Sequence, residues 1–304
     1  MFKRYLYALI ICLIPMVSTA NPVFKIAFAQ DDMQNDFRRA QVEEAADRAK
    51  HYPAVEFIFS DAQGRTSLLM HQIEQFISQQ VDALIIGTND SKTVVPVIEK
   101  AHSKGIKVII LDRGVDTQSY STFINSDNRQ IGAIAGEYIA KQLKGQGRVL
   151  LLEGIQGADV TQHRSEGFLN VVGQYPELQV TRRTGNFLRK DALLATEELI
   201  QQGFRFDAIF AESDSMLSGV RPVIEQQGID PDSIISVGVD YIDEARQAII
   251  SGTQTASIYF PLGGDDAVDA AVKLLQKQPV KRHLKLPADL LITKDNVDQV
   301  DPIF

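Results

Sequence analysis

Short apolar runs rich in β-branched residues alternate with longer amphipathic stretches along most of the chain. Lys25-Ile26-Ala27-Phe28-Ala29 predicts a strand, and residues 36–50 a helix with apolar positions at Phe37, Ala40, Ala45 and Ala49. Strands at 55–59, 83–86 and 108–111 and helices at 66–79 and 91–104 continue the series, with Gly105 as a helix stop. Unbroken apolar runs of this length, linked by helices, are the mark of a parallel sheet covered on both faces. The pattern restarts after Ser126-Asp127-Asn128. Helices are then expected at 130–143, 167–174, 192–202, 216–227 and 245–251, and strands at 148–152, 180–184, 208–210, 234–239 and 255–259. A last helix at 265–276 and a short strand at 290–293 are too little for a third unit and must return to the two sheets already built.

The expected fold class is therefore α/β, with two doubly wound parallel-sheet lobes. In open sheets of this kind a ligand lies beyond the carboxyl ends of the strands. That rule singles out residues 31–38, 87–90, 112–113, 154–164, 212–214 and 240. Asp112 and Arg113 follow one strand, Asp240 follows another, and Arg164 is expected at the start of a helix. Phe37 and Phe187 lie near the same rims. An ionised Asp accepts from two hydroxyls, an Arg fork donates to two oxygens, and a phenyl ring covers an apolar C–H face. Together these groups suit a neutral polyol. Each also has an ordinary structural use: a strand-end Asp as helix cap or turn residue, a Phe as core, Arg164 as a surface helix residue.

Composition narrows the function further. The 304 residues are 44% hydrophobic and 23% charged, which excludes disorder and leaves room for two lobes. A net charge of −8 argues against a nucleic-acid partner. One cysteine allows neither a disulfide framework nor a cysteine zinc site, and the five histidines form no H-x-x-x-H pair. Residues 87–93 lack a complete phosphate-loop signature, and no calcium loop is seen. Neither a metal nor a cofactor is expected. Lys3 and Arg4, the uncharged run 5–17 and Ser18-Thr19-Ala20 have the order of a secretory signal peptide over 1–20, cut after Ala20. Cleavage leaves 29 basic against 39 acidic residues and no cysteine, the composition expected of a soluble periplasmic protein.

Several segments carry a resemblance. Residues 25–37 through Asn35-Asp36-Phe37, Val108-Ile109-Ile110-Leu111-Asp112-Arg113, Asn125-Ser126-Asp127-Asn128, Leu152-Glu153-Gly154-Ile155 and Arg164-Ser165-Glu166-Gly167-Phe168 resemble the periplasmic ribose-binding and galactofuranose-binding proteins. So do Phe210-Ala211-Glu212-Ser213-Asp214 and Val237-Gly238-Val239-Asp240, and the likeness runs in one register over residues 24–297.

The resemblance implies a type I binding fold with a three-strand hinge. The N-terminal lobe would comprise 24–126 plus 261–289, and the C-terminal lobe 127–260 plus 290–304. It implies a monosaccharide, a pentose or hexose that could take a furanose form, held between the lobes without catalysis. The sugar contacts would come from Asn35, Phe37, Asp112 with Arg113, Ser126, Arg164, Phe187 as stacking aromatic, and Asp240. Arg38 stands where ribose binders have a second Phe and would add a donor, as in the galactofuranose binders. Gly87 and Ser213 replace amides, Val239 replaces an aromatic or aliphatic residue and Phe260 replaces a Gln. These departures put ribose in doubt, and Gly87 is expected to enlarge the site. The implied partner of the monomer is a membrane ABC permease, or alternatively a chemoreceptor or histidine kinase.

Asp112 and Asp240 invite comparison with a glycosidase acid/base pair, but Arg113 and Arg164 are expected to keep both ionised. N-terminal sequencing of the exported protein is expected to begin at Asn21; a mature chain that retains residues 1–20 would refute the leader.

Overall fold

The computed structural model describes residues 23–304, so the expected leader lies outside it. The chain runs β1 (Phe24–Gln30), α1 (Asp36–Ala49), β2 (Val55–Asp61), α2 (Thr66–Ser78), β3 (Ala83–Gly87), α3 (Val95–Ser103), β4 (Lys107–Leu111) and β5 (Thr122–Ser126). It continues through α4 (Asn128–Gln142), β6 (Gln146–Glu153), α5 (Asp159–Val172), β7 (Glu177–Thr184), α6 (Arg189–Gln201), β8 (Ala208–Ala211) and α7 (Asp214–Gln226). Then come β9 (Ile235–Asp240), α8 (Asp243–Ser251), β10 (Ala256–Tyr259), α9 (Gly264–Leu275), β11 (His283–Leu286) and β12 (Leu291–Thr293).

Two six-stranded sheets result, ordered β11-β5-β4-β3-β1-β2 and β12-β10-β9-β8-β6-β7. The chain passes between them after β5, after β10 and after β11, which makes three crossings. Among the described residues all pairings are parallel except β10 with β12. The central strands are apolar because both faces are covered: Ile26, Ala27, Phe28 and Ala29 are all fully buried, and so are Val149 to Leu152. In the first lobe α2 and α3 cover one face and α1 with α9 the other. Helix α9 is tied back to α1 by the two-pronged pairing of Arg48 with Asp269, at 2.7 and 2.9 Å.

The differences from the sequence pattern have local causes. Helix α3 starts at Val95 rather than residue 91, because the Asp90 carboxylate accepts from the amides of Lys92 and Thr93 and holds a turn there. Strands β5 and β11 have no counterpart in the apolar pattern. β5 is half polar and alternates in burial, and β11 is an exposed edge strand. Helix α5 starts at Asp159, eight residues earlier than the pattern suggests, so Arg164 lies in its second turn and not at its start. Gly167 is not a helix boundary but a contact residue inside α5.

That contact fixes the approach of α4 to α5. A Cβ on Gly167 would lie 2.0 Å from the Arg129 carbonyl, and one on Gly132 would lie 1.9 Å from the Arg164 carbonyl. Backbone therefore packs directly on backbone, and Arg164 is placed by that packing. Gly132→Ala and Gly167→Ala are each expected to destabilise the protein by about 1–3 kcal/mol through overpacking, measured by chemical denaturation. An unchanged midpoint would contradict the tight contact.

Candidate functional site

The carboxyl ends of both sheets face one another across a seam. A narrow cavity lies there, lined by Asn35, Phe37, Asp112, Arg113, Val160, Arg164, Phe187, Ser213, Asp240 and Phe260. Of the contact residues expected from the sequence, Arg38 and Ser126 are absent from its lining. Val160, on the first turn of α5, lines the cavity and carries no chemical signal of its own in the sequence.

Each lobe supplies one acid and one base. Asp112 and Arg113 follow β4; Arg164 comes from α5 and Asp240 ends β9. All four are buried. Arg164 is held most firmly, donating from Nε to Asn128 Oδ1 at 2.8 Å and from Nη1 to the Glu212 carbonyl. Its guanidinium carbon stands 4.7 Å from the Phe260 ring centre and 6.0 Å from that of Phe187. Arg113 approaches the Phe187 ring to 5.1 Å. These distances lie in cation–π range, so the rings hold charge as well as shape. Phe37 packs on Phe260 with centres 5.3 Å apart.

Asp112 Oδ1, Arg113 Nε and Nη1, and Ser126 Oγ are buried polar atoms with no hydrogen-bond partner among the described residues. Native interiors rarely leave such groups unpaired, so their clustering at the seam marks a place where a polar molecule belongs. Burial, partly offset by Asp112 and Asp31 and reinforced by Arg38, lowers the Arg113 pKa to about 10. Burial also holds the Asp240 carboxyl well above its usual range; Arg164 opposes this, while Asp214 and Asp112 add to it. Desolvation therefore works against the expectation that arginines keep Asp240 ionised and outweighs their attraction, since no group among the described residues donates a hydrogen bond to its carboxylate.

Two other expectations change. Arg38 is 1% exposed and does not line the cavity. It lies behind it, 2.8 Å from Asp31, 2.5 Å from Gln30 Oε1 and 3.9 Å from Asp112 Oδ2. Gly87 does not enlarge the cavity either. A Cβ there would meet Gln30 Oε1 at 2.3 Å and Arg38 Nη1 at 2.9 Å, so the space saved by glycine is filled by Gln30 and Arg38. Asn35 and Ser213 cap helices α1 and α7, accepting from Arg38 N and Met216 N.

Polar contacts join the lobes at the rim. Asn35 Nδ2 donates to the Phe187 carbonyl at 3.0 Å, Gly114 N donates to Asp159 Oδ2 at 2.8 Å, and Arg189 pairs with Asp36 while holding Glu244 at 2.8 Å. Sequence reasoning does not single out the roles of Asp36, Asp159 and Arg189, because a surface charge shows its partner only once the lobes meet.

Comparison with known proteins gives this geometry a family. A model of the periplasmic binding protein domain matches residues 26–279. The chain belongs to that family. Ribose import binding protein RbsB of Bacillus subtilis is 29% identical over 269 residues, 88% of this chain and 87% of the relative. Galactofuranose-binding protein YtfQ of Escherichia coli K12 is 26% identical, covering 90% and 86%. The solved structure of a fructose-binding periplasmic domain from a hybrid two-component system superposes with a TM-score of 0.85 at 25% identity, covering 91% of this chain and 92% of that one. The resemblance read from the motifs is therefore shown, and with it the two-lobe fold. The matched members of the family are solute-binding proteins.

The Arg189–Asp36 pair is partly exposed, so removing it is expected to shift the closure balance by only about 0.2–1 kcal/mol. Arg189→Ala should raise the solute-free radius of gyration measured by small-angle X-ray scattering at low salt. An identical scattering curve would show that this pair has no part in closure.

Proposed function

We propose that this protein is an exported, non-catalytic receptor that captures one monosaccharide between its lobes and delivers the closed form to an ABC permease. The observation that carries this reading is the set of buried unpaired polar atoms on Asp112 and Arg113 at a cavity walled by Phe37, Phe187 and Phe260. Sugar hydroxyls satisfy both acids and guanidiniums, and ring C–H faces suit phenyl groups. In this reading Asp112, Arg113, Arg164 and Asp240 grip the ring edges, and Asn35 and Ser213 complete the polar rim. Arg38 acts from behind by orienting Asp112. A sugar that touches both lobes stabilises only their closed arrangement, which a permease can recognise.

The relatives named for ribose and galactofuranose support a pentose or a furanose form. We further propose that the mature protein is a periplasmic monomer released from its leader and that it uses no cofactor. The fructose-binding sensor domain favours a second reading, in which closure signals to a histidine kinase. A gene neighbourhood with a permease and ATPase supports delivery; one with a kinase supports sensing.

A thermal-shift panel of pentoses, hexoses and polyols should identify the ligand, since a site filled at 100 times its Kd gains about 2.7 kcal/mol. Arg164→Ala and Asp240→Ala are each expected to cost about 1–3 kcal/mol of that sugar's binding, roughly 5- to 150-fold in Kd by titration calorimetry. Unchanged affinity in both variants would overturn the placement of the site.

A further inference from the structure

Glu153, Ser165 and Glu212 form a buried polar cluster behind the cleft, and none of them lines it. Glu153 ends β6, Ser165 follows Arg164 on α5, and Glu212 follows β8. Ser165 Oγ stands 2.8 Å from Glu153 Oε1 and also 2.8 Å from Glu212 Oε1. The Gly154 amide donates to Glu212 Oε2 at 2.8 Å. A serine hydroxyl carries one proton and can donate to only one of the two carboxyls. With both ionised, the other contact would set a hydroxyl lone pair against a carboxylate oxygen in a site closed to water, which is costly. One more proton resolves the conflict. Arg182 lies 2.5 Å from Glu153 Oε1 and compensates charge there, whereas Arg164 bonds the Glu212 backbone carbonyl and not its side chain.

We propose that Glu212 is a neutral carboxylic acid in the folded protein and acts as a positioning residue for the cleft. Its Oε1–H donates to Ser165, Ser165 donates to Glu153, and its Oε2 accepts from Gly154. The single negative charge of the pair sits on Glu153, beside Arg182. Through this arrangement Glu212 sets two walls of the cavity. Its carbonyl holds Arg164, and its carboxyl pins Gly154, against which the Phe187 ring packs so closely that a Cβ would lie 1.9 Å from it.

The groups facing Glu212 are Glu153 from β6, the Gly154 amide, and Arg164 and Ser165 from α5, with Arg182 of β7 beyond Glu153. Burial raises its pKa to about 8; Gly154, Arg164 and Ser165 oppose the rise and Glu153 adds to it. An unfolded glutamate ionises near 4.5. The stability linked to this proton is therefore complete below about pH 4.5, falls as pH rises, and levels off above about 8. The Glu212→Gln substitution would reproduce the neutral acid, its amide accepting from Gly154 and donating to Ser165 without a titrating proton.

The test uses the full exported chain and its Glu212→Gln variant, neither requiring a ligand. In infrared spectra of protein labelled with carbon-13 at the glutamate side-chain carboxyls, wild type should show a protonated-carboxyl band at pH 7 that disappears above about pH 8. The variant should lack it. Absence of the band from wild type, or its persistence in the variant, overturns the proposal. The difference in melting temperature between variant and wild type should grow from about pH 5 to about pH 8 and then stay level; a pH-independent difference overturns it. Hydrogen exchange of residues 152–166, corrected for the intrinsic rate, should accelerate above about pH 8 in wild type only. Equal acceleration in both removes the positioning role.

Discussion

The seam between the lobes buries Asp112, Arg113, Arg164 and Asp240 together, and closing water out of it weakens the ionised form of any group without a close partner. Arg164 is compensated by Asn128, the Glu212 carbonyl and two phenyl faces. Asp240 accepts no side-chain hydrogen bond among the described residues, and Arg113 has the Phe187 face and Asp112 near it but no hydrogen-bond partner for Nε and Nη1, so burial shifts both pKa values away from the ionised form. The closed arrangement is thus favourable chiefly when something polar supplies the missing partners. A binding protein needs that coupling: closure without solute is held back by desolvation, and closure with solute is not.

Backbone strain sharpens the same design. Asp112, Phe187, Asp240 and Tyr241 all have positive φ, at 68°, 59°, 110° and 65°. None is glycine, and such positions cost on the order of 1–3 kcal/mol each unless the surroundings impose them. Around Asp240 the surroundings are clear. Asp214 accepts from the Tyr241 amide at 2.7 Å, from Gln254 at 2.7 Å and from Ser257 at 2.5 Å, so the turn after β9 is held by three donors converging on one carboxylate. Gly238 leaves the space for that carboxylate, since a Cβ there would lie 1.9 Å from Asp214 Oδ1. The cleft residues are rigid because the chain behind them is bonded in depth.

How far the site can be read in advance depends on where each residue's meaning resides. Asp112, Arg113 and Asp240 are legible because they directly follow apolar runs, and a parallel sheet places such residues at a ligand edge. Arg164 is legible by type but not by position, because Gly167 looks like a helix end and is instead the gap that lets α4 touch α5. Gly87 looks like added room and is the socket for Gln30 and Arg38. Glu212 belongs to a strand end but bears no chemical signal, since its role depends on Glu153 and Ser165 from two other elements.

The order of apolar and amphipathic segments by itself determined the α/β class, the two sheets and the edge at which polar groups collect, because periodicity and strand burial are local consequences of side-chain spacing. Only the tertiary structure decided which carboxyls are buried away from water, which glycines are contacts, and which rim residues tie one lobe to the other. Those properties follow from desolvation and close approach between segments distant along the chain, and the spacing of residues carries neither.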